Sequence, residues 1–125
     1  MNAYKLCFVT LSVSDLRAAE QFYVNILGFK VSRRYAPTNW ISLDIDESGG
    51  GLGLVEISND EDRPSSARVD IFVRGLDQLW TTIESKVTIV SPPCHTPWGS
   101  YKAVIQDPFA NTLGLVEAPQ GANLS

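Results

Sequence analysis

Hydrophobic and polar residues follow short repeating patterns along the first half of the chain, and these patterns predict the order β-α-β-β-β. Alternation with a period of two predicts a strand over Leu6–Val13, and apolar residues at helical spacing from Leu16 to Leu27 predict a helix. Ser14 is predicted to cap this helix and Gly28 to end it. Further strands are predicted at Phe29–Tyr35, Trp40–Ile45 and Leu52–Ile57, with turns at Asn39 and Ser48–Gly51.

The second half of the chain repeats this order with a shorter helix. Ser91–Pro97 contains three prolines and is predicted to be irregular, because proline lacks the N–H that strands use. Ala118–Ser125 is predicted to be a frayed tail. The predicted elements are a strand at Arg68–Val73, an amphipathic helix carrying Leu76, Leu79, Trp80 and Ile83, and strands at Val87–Val90, Ser100–Gln106 and Thr112–Glu117.

Two sequence matches indicate that the halves are copies of one module. Leu52–Glu56 recurs letter for letter as Leu113–Glu117, 61 residues later, and Val13–Leu16 corresponds to Val73–Leu76 at an offset of 60. We therefore predict an α+β fold in a single domain over residues 1–125. Module one spans about 4–58, module two about 66–118, and the tail 119–125.

Composition narrows the class of protein. The chain has 125 residues, of which 44% are hydrophobic and 19% charged, as in a compact globular domain. A formal net charge of −4 disfavours phosphate backbones, so we expect no nucleic-acid partner. We expect no membrane partner, because no apolar run approaches about 20 residues. With no visible secretion signal, Cys7 and Cys94 are interpreted as free thiols, and we predict a cytoplasmic location.

Motifs in both halves resemble the vicinal oxygen chelate superfamily, which contains glyoxalase I, extradiol dioxygenases and bleomycin-resistance proteins. They are Val9–Leu16, Phe22–Tyr23, Leu27–Phe29 and Asp107–Asn111, and the resemblance covers Tyr4 to Glu117. It implies two paired βαβββ modules that form a curved, cup-like mixed β-sheet with the helices on the outside. Val73–Trp80 and Pro97–Gly99 are similar to the bleomycin-resistance branch, whose metal-free dimers sequester a cationic drug between subunits.

Catalytic members of that superfamily hold a divalent metal with four His, Gln or Glu side chains on the opening and last strands of the two modules. The matching residues here cannot supply a ligand at neutral pH; they are Phe8, Gly53, Arg68 and Gly114. Glu56 and Glu117 would reach the same face only if both last strands were bulged, so they are predicted to be solvated edge residues. We therefore predict neither a metal nor another cofactor, and assign no catalytic residue.

The candidate ligand-binding residues are mainly aromatic or charged. Proline and glycine on either side fix Trp98, and the matching tryptophan of the bleomycin-resistance branch stacks on the drug. For Trp98 the alternative is an edge residue that closes the cup, and for Trp40 and Tyr101 it is ordinary packing. For Arg68 and Asp70 a ligand role and a structural role, as a mutual ion pair at the cup mouth or a dimer contact, are equally consistent with the sequence. The full set is Phe8, Trp40, Arg68, Asp70, Phe72, Trp98, Gly99 and Tyr101.

Three other groups of residues receive structural interpretations. Cys94 and His95 are adjacent, so they are not expected to face each other as nucleophile and base, although His95 is expected in an accessible loop. Trp80 is assigned to the core. Asp44, Asp46 and Glu47 suit a solvated turn, with contact to a cationic ligand as the alternative.

The leading hypothesis is a metal-independent, homodimeric small-molecule-binding protein that sequesters a cationic or aromatic ligand in an aromatic-lined groove. The first alternative is an enzyme, namely a metal-dependent lyase, isomerase or oxygenase with relocated metal ligands. The second is a dimeric scaffold with a collapsed cup. The sequence assigns no role to Cys94 or His95 and does not identify the ligand.

Overall fold

A computed structural model of the chain describes residues 8–45, 51–57 and 68–119. The chain divides into two compact units, with the boundary between Arg63 and Pro64. Each unit has the predicted order β-α-β-β-β and builds one four-stranded mixed sheet. The α+β class and the two-module organisation of the fold are therefore confirmed.

The first unit contains a sheet with strand order β1-β4-β3-β2, in which β1 runs parallel to β4 and the other pairs are antiparallel. Its helix begins as an α-helix and continues as a π-helical segment. The elements are β1 (Phe8–Val13), α1 (Leu16–Glu20), the π-helical segment (Gln21–Ile26), β2 (Lys30–Tyr35), a 3₁₀ turn (Ala36–Thr38), β3 (Trp40–Asp44) and β4 (Gly51–Glu56).

The second unit repeats this topology with strand order β5-β8-β7-β6 and a parallel β5–β8 pair. The elements are β5 (Arg68–Val73), α2 (Leu76–Ile83), β6 (Thr88–His95), β7 (Tyr101–Gln106) and β8 (Thr112–Glu117). In the parts of the chain that the structure describes, no helix is long and apolar enough to cross a membrane.

The core of each unit lies between its helix and one face of its sheet. Leu52 and Leu54 of β4, and their repeats Leu113 and Leu115 of β8, are fully buried on that face. Because side chains alternate along a strand, the intervening residues lie on the opposite side, which we call the distal face. It comprises Thr10, Ser12, Trp40, Ser42, Gly53 and Val55 in the first sheet, and Asp70, Phe72, Lys102, Val104, Gly114 and Val116 in the second.

Both ends of the first helix have clear causes. Asp15, rather than the predicted Ser14, is the N-cap: its backbone is extended, and its carboxylate accepts from the Ala18 N–H at 3.1 Å. At the far end, the Leu27 N–H donates to Phe22 O, five residues back. Gly28 then adopts φ 84°, which favours glycine, and ends the helix as predicted.

The prediction of irregular structure over Ser91–Pro97 was wrong for most of that segment. Strand β6 extends to His95 and includes Pro92 and Pro93. It is an edge strand that pairs with β7 alone, and its register shifts between Ser91 and Cys94. The prolines lie where the strand needs no donor, which is how an edge strand tolerates them.

Ala118, the first residue of the segment predicted to fray, is packed against the fold. Ala118 is buried, and its N–H donates to Val73 O at 2.8 Å, which extends the contact between β5 and the end of β8. Trp80, which the sequence assigns to the core, is half-buried on α2 rather than fully enclosed.

Candidate functional site

A cavity of about 260 Å³ opens on the distal face of the second sheet. This volume lies just below the range of about 300–1,000 Å³ that is usual for small-molecule sites. The cavity brings together three predicted ligand contacts, Asp70, Phe72 and Trp98. The complete lining is Asp70, Ile71, Phe72, Trp98, Ser100, Lys102 and Val116.

The turn between β6 and β7 holds Trp98 at the mouth of this cavity. Thr96 and Ser100 close the turn through a hydrogen bond of 2.8 Å from the Thr96 N–H to Ser100 O and a hydroxyl contact of 2.7 Å. Gly99 has φ 95°, a left-handed conformation that side chains rarely adopt. The tight turn leaves the Trp98 side chain 75% exposed, so a large apolar surface is presented at a fixed position.

Phe72 provides the second aromatic wall. It lies on β5 opposite Val116 of β8, and it is 56% exposed. Val116 and Phe72 share the distal face, so the cavity has an apolar side formed by strand residues and an aromatic turn residue. A flat ring system has the shape and polarity to fill such a space.

Three charged side chains form an ion cluster, and two of them, Asp70 and Lys102, line the cavity. Asp70 Oδ1 accepts from Lys102 Nζ at 3.0 Å and lies 3.4 Å from Arg68 Nε. The Lys102 side chain is only 13% exposed, whereas Asp70 and Arg68 are about half exposed. A nearly buried ammonium requires a counter-ion, and Asp70 supplies it.

Gly114 makes room for this ion cluster. It lies opposite Asp70 on β8, and a Cβ built on it would overlap Asp70 Oδ1 and approach Lys102 Cε to 2.8 Å. Any larger residue at position 114 would therefore displace the Asp70–Lys102 pair. The space that a side chain would occupy holds the ion pair instead.

The residues at the positions matching the superfamily's metal ligands do not fit a metal ion. Arg68 is a cation with donors only, Phe8 has no ligand atom, and Gly53 and Gly114 have no side chain. Within residues 8–45, 51–57 and 68–119, no group of three or more His, Cys, Asp or Glu could hold an ion. The ammonium of Lys102 beside Gly114 would also repel a dication.

Glu56 and Glu117 serve as caps for the two helices, which corrects their interpretation as solvated edge residues. The Glu117 carboxylate accepts from the backbone N–H groups of Gly75 at 3.0 Å and Leu76 at 2.8 Å. Glu56 accepts from the Leu16 N–H at 2.8 Å in the same way. The hydrogen bonds from Leu76 and Gly75 hold the pKa of Glu117 below its usual value.

The other predicted contacts lie elsewhere. The Tyr101 hydroxyl donates to Asp77 on α2 at 2.7 Å, so this side chain lies on the helix face of β7 and does not share the cavity. That hydrogen bond raises the pKa of Tyr101. Trp40 is half-buried on β3 of the first unit, and Phe8 opens β1 with its side chain outside the described part.

Cys94 and His95 lie on β6 rather than in a loop, and the pleat directs them to opposite faces. Cys94 is opposite Lys102, whereas the His95 ring packs against Tyr101 with centroids 4.7 Å apart. These contacts give no nucleophile–base arrangement. Asp44 is exposed at the end of β3, and Asp46 and Glu47 lie outside the described residues.

A second groove, of about 360 Å³, runs along the helix of the first unit. Its main feature is a two-pronged ion pair in which Arg34 donates to both carboxylate oxygens of Glu20 at 2.7 Å. This pairing lowers the pKa of Glu20. The groove has no exposed aromatic wall, and its lining consists of Leu16, Arg17, Glu20, Gln21, Asn25 and Arg34.

Four residues that line the cavity were not predicted from the sequence: Ile71, Ser100, Lys102 and Val116. An isolated lysine in an alternating strand resembles any solvent-facing residue. The available signal was the shared face: Lys102 pairs with Val116, the neighbour of Phe72, and lies diagonally across from Gly114. That register becomes visible only once β7 is aligned with β8.

Comparisons with known proteins agree with this fold. The family model described as "Glyoxalase/Bleomycin resistance protein/Dioxygenase superfamily" matches residues 5–115. The structure of a member of that superfamily from Sphaerobacter thermophilus DSM 20745 is 26% identical with a TM-score of 0.80, covering 92% of this chain and 98% of that one. No curated protein sequence matches the chain.

Two further structures show the same fold at lower identity. TnmS3, an antibiotic binding protein from Streptomyces sp. CB03234, is 24% identical with a TM-score of 0.79, covering 95% of this chain and 99% of that one. A lactoylglutathione lyase from Agrobacterium tumefaciens is 19% identical with a TM-score of 0.73, covering 94% and 95%. The fold is therefore shared by a binding protein and an enzyme.

Proposed function

The chain belongs to the glyoxalase/bleomycin resistance protein/dioxygenase superfamily, and within it we propose a small-molecule-binding protein that sequesters an aromatic ligand without a metal. The ligand lies in the cavity on the distal face of the second sheet. Phe72 and Trp98 contact its rings, and Asp70 and Lys102 of the ion cluster, whose third member is Arg68, contact its polar groups.

The observation that carries this proposal is the position of Lys102. Its ammonium and Asp70 fill the space beside Gly114, at a position where the superfamily's enzymes have a metal ligand. A carboxylate or imidazole would polarise a substrate through the metal, whereas an ion pair next to an apolar wall can hold and orient a ligand. Binding is therefore better supported than metal-dependent catalysis.

The exposed aromatic side chains support the same proposal. Phe72 and Trp98 are 56% and 75% exposed. Exposing this much apolar surface to water is unfavourable in free energy, and covering it with another apolar surface removes that penalty. Both line one cavity, so one flat ligand would cover both. The fold likeness to an antibiotic-binding protein is consistent with this use, although that likeness extends to the lyase as well.

The proposal is tested by calorimetric titration of the full chain with a neutral planar aromatic amide, 2-naphthamide. Phe72→Ala and Trp98→Ala should each weaken binding about tenfold, because each removes one aromatic contact. Tyr35→Ala is the matched control, since Tyr35 is also an aromatic residue with 55% exposure but lies outside the cavity. Equal affinity in all four proteins would contradict the assigned site.

The enzyme alternative is tested by elemental analysis of protein purified without added metal. We expect less than about one tenth of an equivalent of Zn, Ni, Mn or Fe per chain, because the matching positions hold no ligand atoms. If the wild-type chain contains one metal ion per chain and a variant of the distal face does not, the proposal of metal-independent binding is overturned. The chain would then hold a metal through relocated metal ligands.

We also propose a homodimer in a reducing, cytoplasmic compartment. The dimer is supported by an exposed apolar strip on edge strand β6, where Ile89 and Val90 are 44% and 55% exposed. The reducing compartment is supported by a free, exposed thiol at Cys94. Light scattering after gel filtration measures the mass directly. We expect the wild-type chain to be a dimer and the Val90→Lys variant to be a monomer. A wild-type monomer at micromolar concentration would contradict the proposed dimer.

A further inference from the structure

We propose that the ligand of the distal-face cavity carries an anionic oxygen on its ring system, which Lys102 holds while Arg68 neutralises Asp70. This inference rests on the proposed function and specifies the chemical class of ligand for the same cavity. It also departs from the cationic guest that the net charge of −4 favours.

The charge of the ion cluster is the first argument. Arg68 and Lys102 contribute two positive charges and Asp70 one negative charge, so the ion cluster, which borders the cavity through Asp70 and Lys102, has one excess positive charge. The overall charge of the chain is spread over its surface, whereas these three groups lie within 3.4 Å contacts at the cavity. At such distances the local charges dominate, because exposed remote charges are screened within about 10 Å.

The unused donors are the second argument. Both cations converge on the same oxygen, Asp70 Oδ1, and Asp70 is the one ion partner that the described part of the chain offers either of them. An ammonium has three N–H donors and a guanidinium five. Lys102 therefore retains donors in a nearly buried position on the cavity wall, where an acceptor from water or a ligand is needed.

The arrangement of the walls is the third argument. Phe72 and Val116 lie on strands next to the ion cluster, and Trp98 lies across the mouth. A ring between these apolar surfaces would place a substituent on its edge beside Lys102. A carboxylate or phenolate on that edge would accept charge-assisted hydrogen bonds, which are about twice as strong as neutral ones.

Three probes with one ring system separate this inference from the proposed function. They are 2-naphthoate, 2-naphthamide and 2-naphthylmethylammonium, titrated calorimetrically into the full chain at low and high salt. We expect 2-naphthoate to bind about tenfold more tightly than the neutral amide, and the ammonium compound to bind most weakly. The preference for the anion should shrink with added salt.

Lys102→Met removes the charge and keeps a flexible apolar side chain. It should weaken naphthoate binding about tenfold and weaken amide binding much less, because only the carboxylate forms a charge-assisted hydrogen bond with Lys102. A merely structural role would weaken the binding of both probes equally. Lys86→Met is the matched control, because it removes the same charge from an exposed position after α2. Circular dichroism and thermal melting establish that each variant is folded.

Each outcome is decisive. Equal binding of the three probes leaves the proposed function standing and overturns the anion preference. Tighter binding of the ammonium compound, or equal losses in Lys86→Met and Lys102→Met, also overturns it. If no probe binds, the proposed function and this inference fail together.

Discussion

The two units have nearly the same helix face but different distal faces. On the helix face, Leu54 and Leu115 occupy equivalent buried positions, and Glu56 and Glu117 make equivalent caps. The repeat Leu-Gly-Leu-Val-Glu thus specifies a strand that packs on a helix and caps it. Duplication has retained the residues that build the scaffold.

The distal faces differ at every position around the repeated glycine and valine. Gly53 pairs with Thr10 and Ser42, whereas Gly114 pairs with Asp70 and Val104. Val55 pairs with Ser12 and Trp40, whereas Val116 pairs with Phe72 and Lys102. At these paired positions the first sheet has three hydroxyl side chains and a tryptophan, whereas the second has two members of the ion cluster, an exposed phenylalanine and a valine.

This contrast separates residues that the fold needs from residues that the proposed ligand would contact. Ser42 is buried and shares a short contact of 2.6 Å with Ser32, so the first face satisfies its polar groups internally. The second face leaves Phe72 exposed and retains unused donors on Lys102. Differences confined to a surface, on an otherwise repeated scaffold, are typical of functional specialisation.

The largest expected effect concerns what the units share. Leu54→Ala and Leu115→Ala each remove a fully buried side chain and should each lower the free energy of unfolding by about 2–5 kcal/mol. Urea denaturation measures both. Similar values would establish energetic equivalence of the two helix faces, whereas a loss below about 1 kcal/mol in one unit alone would break it.

A smaller effect should separate the distal faces. Asp70→Ala leaves the nearly buried Lys102 without its counter-ion and should lower the free energy of unfolding. The decrease should be only about 1 kcal/mol, because Asp70 itself is half exposed. Thr10→Ala, at the equivalent position of the first sheet, should cost almost nothing, because Thr10 is exposed. Lys102→Met should be neutral or stabilising. If Lys102→Met lowered the free energy of unfolding more than Asp70→Ala does, the interpretation of Asp70 as the counter-ion of Lys102 would be contradicted.

The pH dependence of stability tests the shared caps. The pKa of Glu117 is lowered in the folded chain, so its contribution is present above the ordinary value of 4.5 and is lost as the pH falls through the lowered pKa. Glu117→Gln should therefore destabilise the chain at neutral pH and reduce the acid-induced loss of stability. Denaturation curves from neutral pH to about pH 3 measure this, and parallel curves for variant and wild type would count against the cap.

The smallest effect should come from the ion pair that distinguishes the first helix. Arg34→Ala removes the two-pronged contact with Glu20, whose side chain is about one third exposed. The melting temperature should fall slightly at low salt and not at all at high salt, because exposed pairs are screened. A large, salt-independent fall would mean that the groove along this helix is more important to the unit than the comparison implies.

Much of the scaffold was predictable because its signals are local. The repeated pentapeptide identifies β4 and β8, and Gly28 identifies the end of the first helix. The pleat also predicts that Glu117 points away from Gly114. Its function as a cap was not predictable, because the N-terminus of α2 reaches it only after β5 pairs with β8.

The candidate site was predictable in its aromatic part and in Asp70, but not in Lys102. Phe72 and Trp98 are conspicuous as apolar residues in an alternating strand and a Pro-Trp-Gly turn. The importance of Lys102 depends on three strands coming into register around Gly114, which is a long-range property. The β6 prolines were misjudged for the same reason, since edge position is set by the whole sheet.

The two prolines of β6 also restrict how a second copy can approach. An edge strand normally offers a row of N–H and C=O groups on which another chain can extend the sheet. Pro92 and Pro93 remove two consecutive donors, and the shifted register bends the strand at the same place. Strand addition is therefore disfavoured at this end of the edge, and side-chain packing on Ile89 and Val90 is the more favourable way for a partner to cover it.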